Sequence, residues 1–257
     1  MTLPHPSPAL AVAALVALAA PSATAQTDLD FSQFRFGLNL SPSISWATAD
    51  DNRIDGEGTA FGIKLATQAE FFFAPNYALE TGIGFHFNTG GGLLNRYGGR
   101  VLTESLAAGS PYNNEGAPAA PGILVDYSIS YLEIPLALRL HTREFGFLRY
   151  YVQAPMFTLG FRTGAKANIS GGGIPESDEF EDVSVDSDVA PLALSWGFGG
   201  GAEYEVGGGT VLTGGLQFQR VFTDFTKDGD DVYTGRRDDN DPRAGINSIT
   251  LRLGALF

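Results

Sequence analysis

Apolar residues alternate with small or polar ones over most of this chain, and that period of two constrains its fold more than any other feature. One segment sets Phe61, Ile63, Leu65, Thr67, Ala69, Phe71 and Phe73 against Gly62, Lys64, Ala66, Gln68 and Glu70. Another sets Leu79, Thr81, Ile83, Phe85 and Phe87 against Glu80, Gly82, Gly84 and His86. Successive side chains of a strand point to opposite faces, so each segment reads as a strand with one apolar face. A sheet with one face in water carries Lys and Glu on that face, whereas here the second face is mostly Gly, Ser and Ala. An apolar outside facing lipid around a narrow, small-residue interior produces this pattern.

Eight such segments can be drawn, at residues 34–46, 59–73, 77–87, 123–140, 147–163, 189–204, 210–223 and 245–257. No run with helical periodicity interrupts them, and 33 glycines and 19 phenylalanines suit a turn-rich all-β chain. The connections alternate in length. Ala74-Pro75-Asn76, the stretch around Thr142-Arg143-Glu144 and Gly207-Gly208-Gly209 are tight turns, and between them fall long loops at 47–58, 88–122, 164–188 and 224–244. Short turns on one side and long loops on the other mark outer-membrane barrels, the short side being periplasmic. The expected fold is all-β: an eight-stranded, antiparallel, up-and-down transmembrane barrel in the outer membrane, with both termini periplasmic. Phase breaks at Tyr131-Leu132 and around Pro155-Met156 read as β-bulges. Arg220 falls on the lipid face of its segment, tolerable only near an interface.

Residues 1–25 hold no Lys, Arg, Asp or Glu, are apolar from Ala9 to Ala20, and end in Ala23-Thr24-Ala25. These read as a signal peptide, leaving 26–257 as the barrel domain. Beyond them no run of about 18 apolar residues occurs, so any crossing of a membrane falls to strands. The absence of Cys excludes a disulfide framework and a lipidated cysteine. A net charge of −13 argues against affinity for nucleic acid or for an anionic surface. The expected partners are outer-membrane lipid, the barrel-insertion machinery and envelope or secretion proteins, around a monomer. The terminal Phe257, after Ile249, Leu251, Leu253 and Ala255 on one face, is the expected assembly signal.

A stretch of sequence in the fourth and fifth segments, Tyr131-Leu132-Glu133-Ile134-Pro135-Leu136-Ala137-Leu138-Arg139-Leu140 followed by Tyr150-Tyr151-Val152-Gln153-Ala154-Pro155, resembles the PorT-like outer-membrane β-barrel family. The resemblance extends to Phe36-Gly37-Leu38-Asn39-Leu40-Ser41, to Trp196-Gly197-Phe198-Gly199-Gly200-Gly201 and to the aromatic C-terminus. It departs from the family pattern at Ala154, where Gly is usual, and in the length of loop 88–122. It implies an eight-stranded membrane barrel. The namesake assists a protein-secretion system, but fold carries over where role does not.

Parity turns Glu70, Glu80, Arg139, Arg149, Glu203 and Arg252 inward near the short turns, with Lys64 and Glu133 further up. Like charges on neighbouring strands repel, so cross-lumen Glu–Arg pairs are the expected arrangement, closing the barrel as a polar plug. Catalysis is not expected. His86 and His141 are the only histidines after the leader, His141 sits at a turn, no Gly-x-Ser-x-Gly occurs, and neither has a serine at a dyad-like spacing. No cofactor or metal site is expected either. Asp228-Gly229-Asp230-Asp231 and Asp238-Asp239-Asn240-Asp241 lack a complete Ca²⁺-loop pattern and read as solvated acidic loops. Eight strands enclose little more than their own side chains, which disfavours a general porin. A structural or interaction role through the long loops is therefore the leading expectation, ahead of secretion, assembly or narrow transport, and further ahead of a lipid-modifying enzyme.

Overall fold

The computed structural model describes residues 34–98, 121–173, 180–227 and 243–257. The expected signal peptide at 1–25, most of loop 88–122 and the two Asp-rich runs at 228–241 lie outside the described residues.

The strands are β1 (Phe34–Ala49), β2 (Ile54–Glu57), β3 (Ala60–Ala74), β4 (Tyr77–Thr81), β5 (Gly84–Asn95), β6 (Ile123–His141), β7 (Leu148–Gly171), β8 (Val183–Ser184), β9 (Leu192–Gly207), β10 (Thr210–Val221) and β11 (Ala244–Leu256). Sequence neighbours pair antiparallel around the wall, and β1 pairs with β11, which closes it. Since β4 and β5 both lie between β3 and β6, they form one broken wall strand, and the ring has eight. The break falls at Gly82-Ile83, where Thr67 takes over the bonding: its N–H donates to the Ile83 carbonyl at 2.9 Å and the Ile83 N–H to its Oγ1 at 3.0 Å. A Cβ at Gly82 would collide with the Thr67 carbonyl.

Around the wall the outward residues are apolar and uncovered. Phe61 is 70% exposed, Leu216 59% and Leu38 53%. Every wall strand contributes to this band, down to Leu251 and Leu253 on β11. A ring of exposed Phe, Leu, Ile and Val on this scale is far beyond what a water-soluble surface carries.

The strands run further than alternation suggests. β5 continues through 88–95, expected as loop, and β7 runs eight residues past 163, to Gly171. With β2 and β8 added at their edges, β5, β6 and β7 form a sheet extending beyond the apolar band. Its inner face, including Ile123, Val125, Tyr127, Ile129, Ala167 and Ile169, packs against Val185, Val189, Phe225 and Ile246 as an apolar core. Tyr127 meets Phe225 edge-on, their ring centres 5.3 Å apart.

This core accounts for the apparent break at Tyr131. β6 keeps one parity throughout, with odd-numbered residues inward, but its surroundings invert. Below Leu132 the outer face meets the apolar band and the lumen is polar; above it Ser130, Ser128 and Asp126 face outward and the inside is apolar. The register does step there, between Ser130↔Gly164 and Tyr131↔Arg162, the extra residue being Thr163 of β7. A second step, between Gln153 and Met156, coincides with the expected bulge around Pro155.

Candidate functional site

Near the short turns the lumen is filled by charge. Register places Arg35 beside Glu70, and Glu70 beside Glu80. Two carboxylates directly opposite on adjacent strands repel, so a cation must bridge them. Arg139 reaches in from β6, its Nη1 lying 2.7 Å from Glu70 Oε1 and 2.7 Å from Glu80 Oε2, and its Nη2 2.6 Å from Glu203 Oε1. Arg252 Nη2 holds the other oxygen of Glu80 at 2.6 Å. Gln68 and Gln153 donate to the same carboxylates at 2.6 Å each. Arg139, Glu70 and Glu203 are essentially inaccessible. Charges taken this far from water are tolerable only when paired and hydrogen-bonded, which this cluster achieves by balancing its acids with guanidinium groups.

Packing supports the pairing. The Arg139 guanidinium lies 3.6 Å from the centre of the Tyr151 ring. Tyr151 fits across the lumen because its hydroxyl faces Gly201 and Gly215, where a Cβ would strike it.

Arg149, expected in this cluster, does not join it. Its side chain donates to the carbonyls of Thr142 at 3.1 Å and Pro75 at 2.9 Å and to Asn76 Oδ1 at 3.3 Å, tying two short turns together at the rim. Glu203, its register neighbour, turns instead to Arg139, Arg35 and His141. The third cation is Arg35, with Nη2 2.7 Å from Glu70 Oε2 and Nη1 3.1 Å from Glu203 Oε2. Its parity, between outward Phe34 and Phe36, was legible in the sequence. His141 belongs here too: it is buried, not a turn residue, and its Nε2 is 3.1 Å from Glu203 Oε1.

Glu70, His141 and Glu203 present ligand atoms within 4.8 Å of one another, a spacing open to a metal ion. Arg35 Nη2 already serves all three groups, at 2.7, 3.2 and 3.4 Å. The cation at this point is therefore a tethered side chain.

Six residues up β3, about 20 Å along the strand, a second cluster forms. Lys64 Nζ lies 2.6 Å from Glu133 Oε2 and donates to Gln219 Oε1 at 2.9 Å. His86 Nδ1 is 3.1 Å from Glu133 Oε1 and its Nε2 2.9 Å from Ser43 Oγ. Ser43, His86 and Glu133 thus stand in the order nucleophile, base and orienting acid, a contact that sequence spacing did not reveal because 43 residues separate Ser43 from His86. Two features weigh against catalysis. Lys64 neutralises the acid, and the cavities above and below are each about 30 Å³, room for no more than two or three waters.

Phe257 stands on the outer face, 64% exposed, its backbone exchanging hydrogen bonds with Phe36 at 2.7 and 3.2 Å.

No protein-family model and no curated protein sequence matches the chain. Among solved structures, it is similar to Neisserial surface protein A, with 10% identity over 86% of this chain and 95% of that one and a TM-score of 0.41. It is similar to Ail of Yersinia pestis, solved with the heparin analogue sucrose octasulfate, at 11% identity over 88% and 99% of the two chains and a TM-score of 0.37. The outer membrane protein OprG from Pseudomonas aeruginosa gives 8% identity over 87% and 93%, with a TM-score of 0.32. At such values the assignment to an eight-stranded barrel rests on the strand pairing of this chain itself.

Proposed function

We propose that this protein is a monomeric outer-membrane β-barrel with a structural or interaction role, presenting its long-loop end to partners while its lumen stays shut. The observation that carries the reading is the ring of uncovered apolar side chains on every wall strand, which only a lipid environment satisfies. The balanced clusters around Arg139 and Glu133 fill the interior across the ring, which favours a plug over a transport path. The loop-bearing end, built up by β2, β8 and the long ends of β5 to β7, extends beyond the band, and loops on a rigid scaffold are where such proteins carry function. By the pattern of loop lengths, that end faces outward and the short turns the periplasm.

The test is migration on SDS gels with and without boiling, followed by conductance in planar bilayers. A heat-dependent shift with no conductance steps supports a sealed membrane barrel. Solubility without detergent and no shift would overturn the membrane reading. Selective conductance would instead assign a narrow channel, and capture of envelope secretion components through the short-turn end would assign a part in secretion or assembly.

A further inference from the structure

On the outer wall of β10, Arg220 stands between Phe218 and Phe222, exposed and pointing to the lipid side. Register sets it beside Trp196 of β9 and Asn247 of β11, and Asn247 beside Trp46 of β1. The chain has two tryptophans, and both lie in this one cross-strand row. Along β11 the apolar band ends at Ile249, and on β10 its last exposed member is Phe222, so Arg220 lies one outward position inside the long-loop edge, within reach of it for a long side chain. Among the described residues no carboxylate pairs with it: the nearby Asp224 accepts from the N–H groups of Thr226 and Ala244 and from the Thr226 hydroxyl.

We infer that Arg220, beside Trp196 and in one cross-strand row with Trp46, is a binding site for the phosphate of an anionic lipid headgroup. An arginine on the lipid face is costly at mid-membrane and tolerable only at the interface, where the indole ring also settles with its N–H toward water. A planar guanidinium presents two parallel N–H groups that match a phosphate. The occupant is a lipid and not a free anion because the apolar band around and below Arg220 seats acyl chains, which a free anion lacks. The inference rests on the membrane reading and adds to it a ligand class.

The two tryptophans supply the assay. The full-length barrel is folded into phosphatidylcholine vesicles containing equal fractions of brominated phosphatidylglycerol or brominated phosphatidylcholine, and indole quenching is compared. Quenching by the anionic lipid should exceed that by the zwitterionic one in line with an enrichment of about fivefold at the site, and Arg220→Gln should remove the excess without changing the heat-dependent gel shift. Equal quenching by both lipids in the unsubstituted protein, or an excess that survives Arg220→Gln, overturns the site while leaving the barrel in the membrane. Loss of the excess on adding inorganic phosphate would make this a soluble-anion site and overturn the headgroup assignment. No quenching by either lipid would overturn the membrane reading itself.

Discussion

A single side chain, Arg139, holds three acids from three other strands, and its consequences are the sharpest at the scale of residues. Removing it leaves Glu70, Glu80 and Glu203 together in the lumen with only Arg35 and Arg252 to offset them. Arg139→Ala should lower stability by about 3–5 kcal/mol, read as a fall in the urea midpoint, and should admit ions in planar bilayers. Arg149→Ala removes hydrogen bonds at the rim and should cost only about 1 kcal/mol with no conductance. Equal effects of the two substitutions would show that Arg139 is not the centre of the plug. Ser43, despite its contact with His86, should resist a fluorophosphonate probe in the folded barrel, since the adjacent cavities admit little beyond water. Covalent labelling found at Ser43 by mass spectrometry would restore the enzymatic reading.

Among the elements, the extension of β5 to β7 and the closing strand β11 behave differently. The extension keeps its own apolar core, so Phe225→Ala should loosen that end by about 3–5 kcal/mol while the wall below holds. Hydrogen exchange should then rise around Tyr127, Val189 and Ile246 and stay low in the lower parts of β1 and β11, around Leu38 and Leu253. Loop shortening between residues 99 and 120 should leave the barrel intact. A cut reaching 88–95 should not, because those residues pair with both β2 and β6. On β11, Phe257→Asp should permit export and block insertion, detected as protein that reaches the periplasm without acquiring the heat-dependent gel shift. Normal insertion would show that the closing strand is recognised by something other than its terminal aromatic.

For the molecule as a whole, the charges that matter to stability are buried within a closed ring. Salt screens exposed pairs over about 10 Å at 0.1 M but reaches desolvated ones poorly. The urea midpoint of the folded barrel should therefore be nearly the same at low and high sodium chloride. A large fall with salt would place the stabilising pairs in the loops, for example Arg53–Asp51 or Lys166–Asp182, instead of in the lumen.

Alternation and turn chemistry are local, so the sequence alone determined the eight-strand wall, the order of turns and loops, the outward apolar face and the inward parity of Lys64, Glu70, Glu80, Glu133, Arg139, Glu203 and Arg252. Parity says which way a side chain points but not what stands opposite, because partners across a lumen are set by ring closure and strand stagger. That is why Arg35 and not Arg149 completes the lower cluster, and why Ser43 meets His86. The inversion of β6 above Leu132 had the same origin: the sequence marked the break, where the pairing with β7 does step, but only the packed core around Tyr127 and Phe225 shows that β6 keeps its parity while its surroundings change.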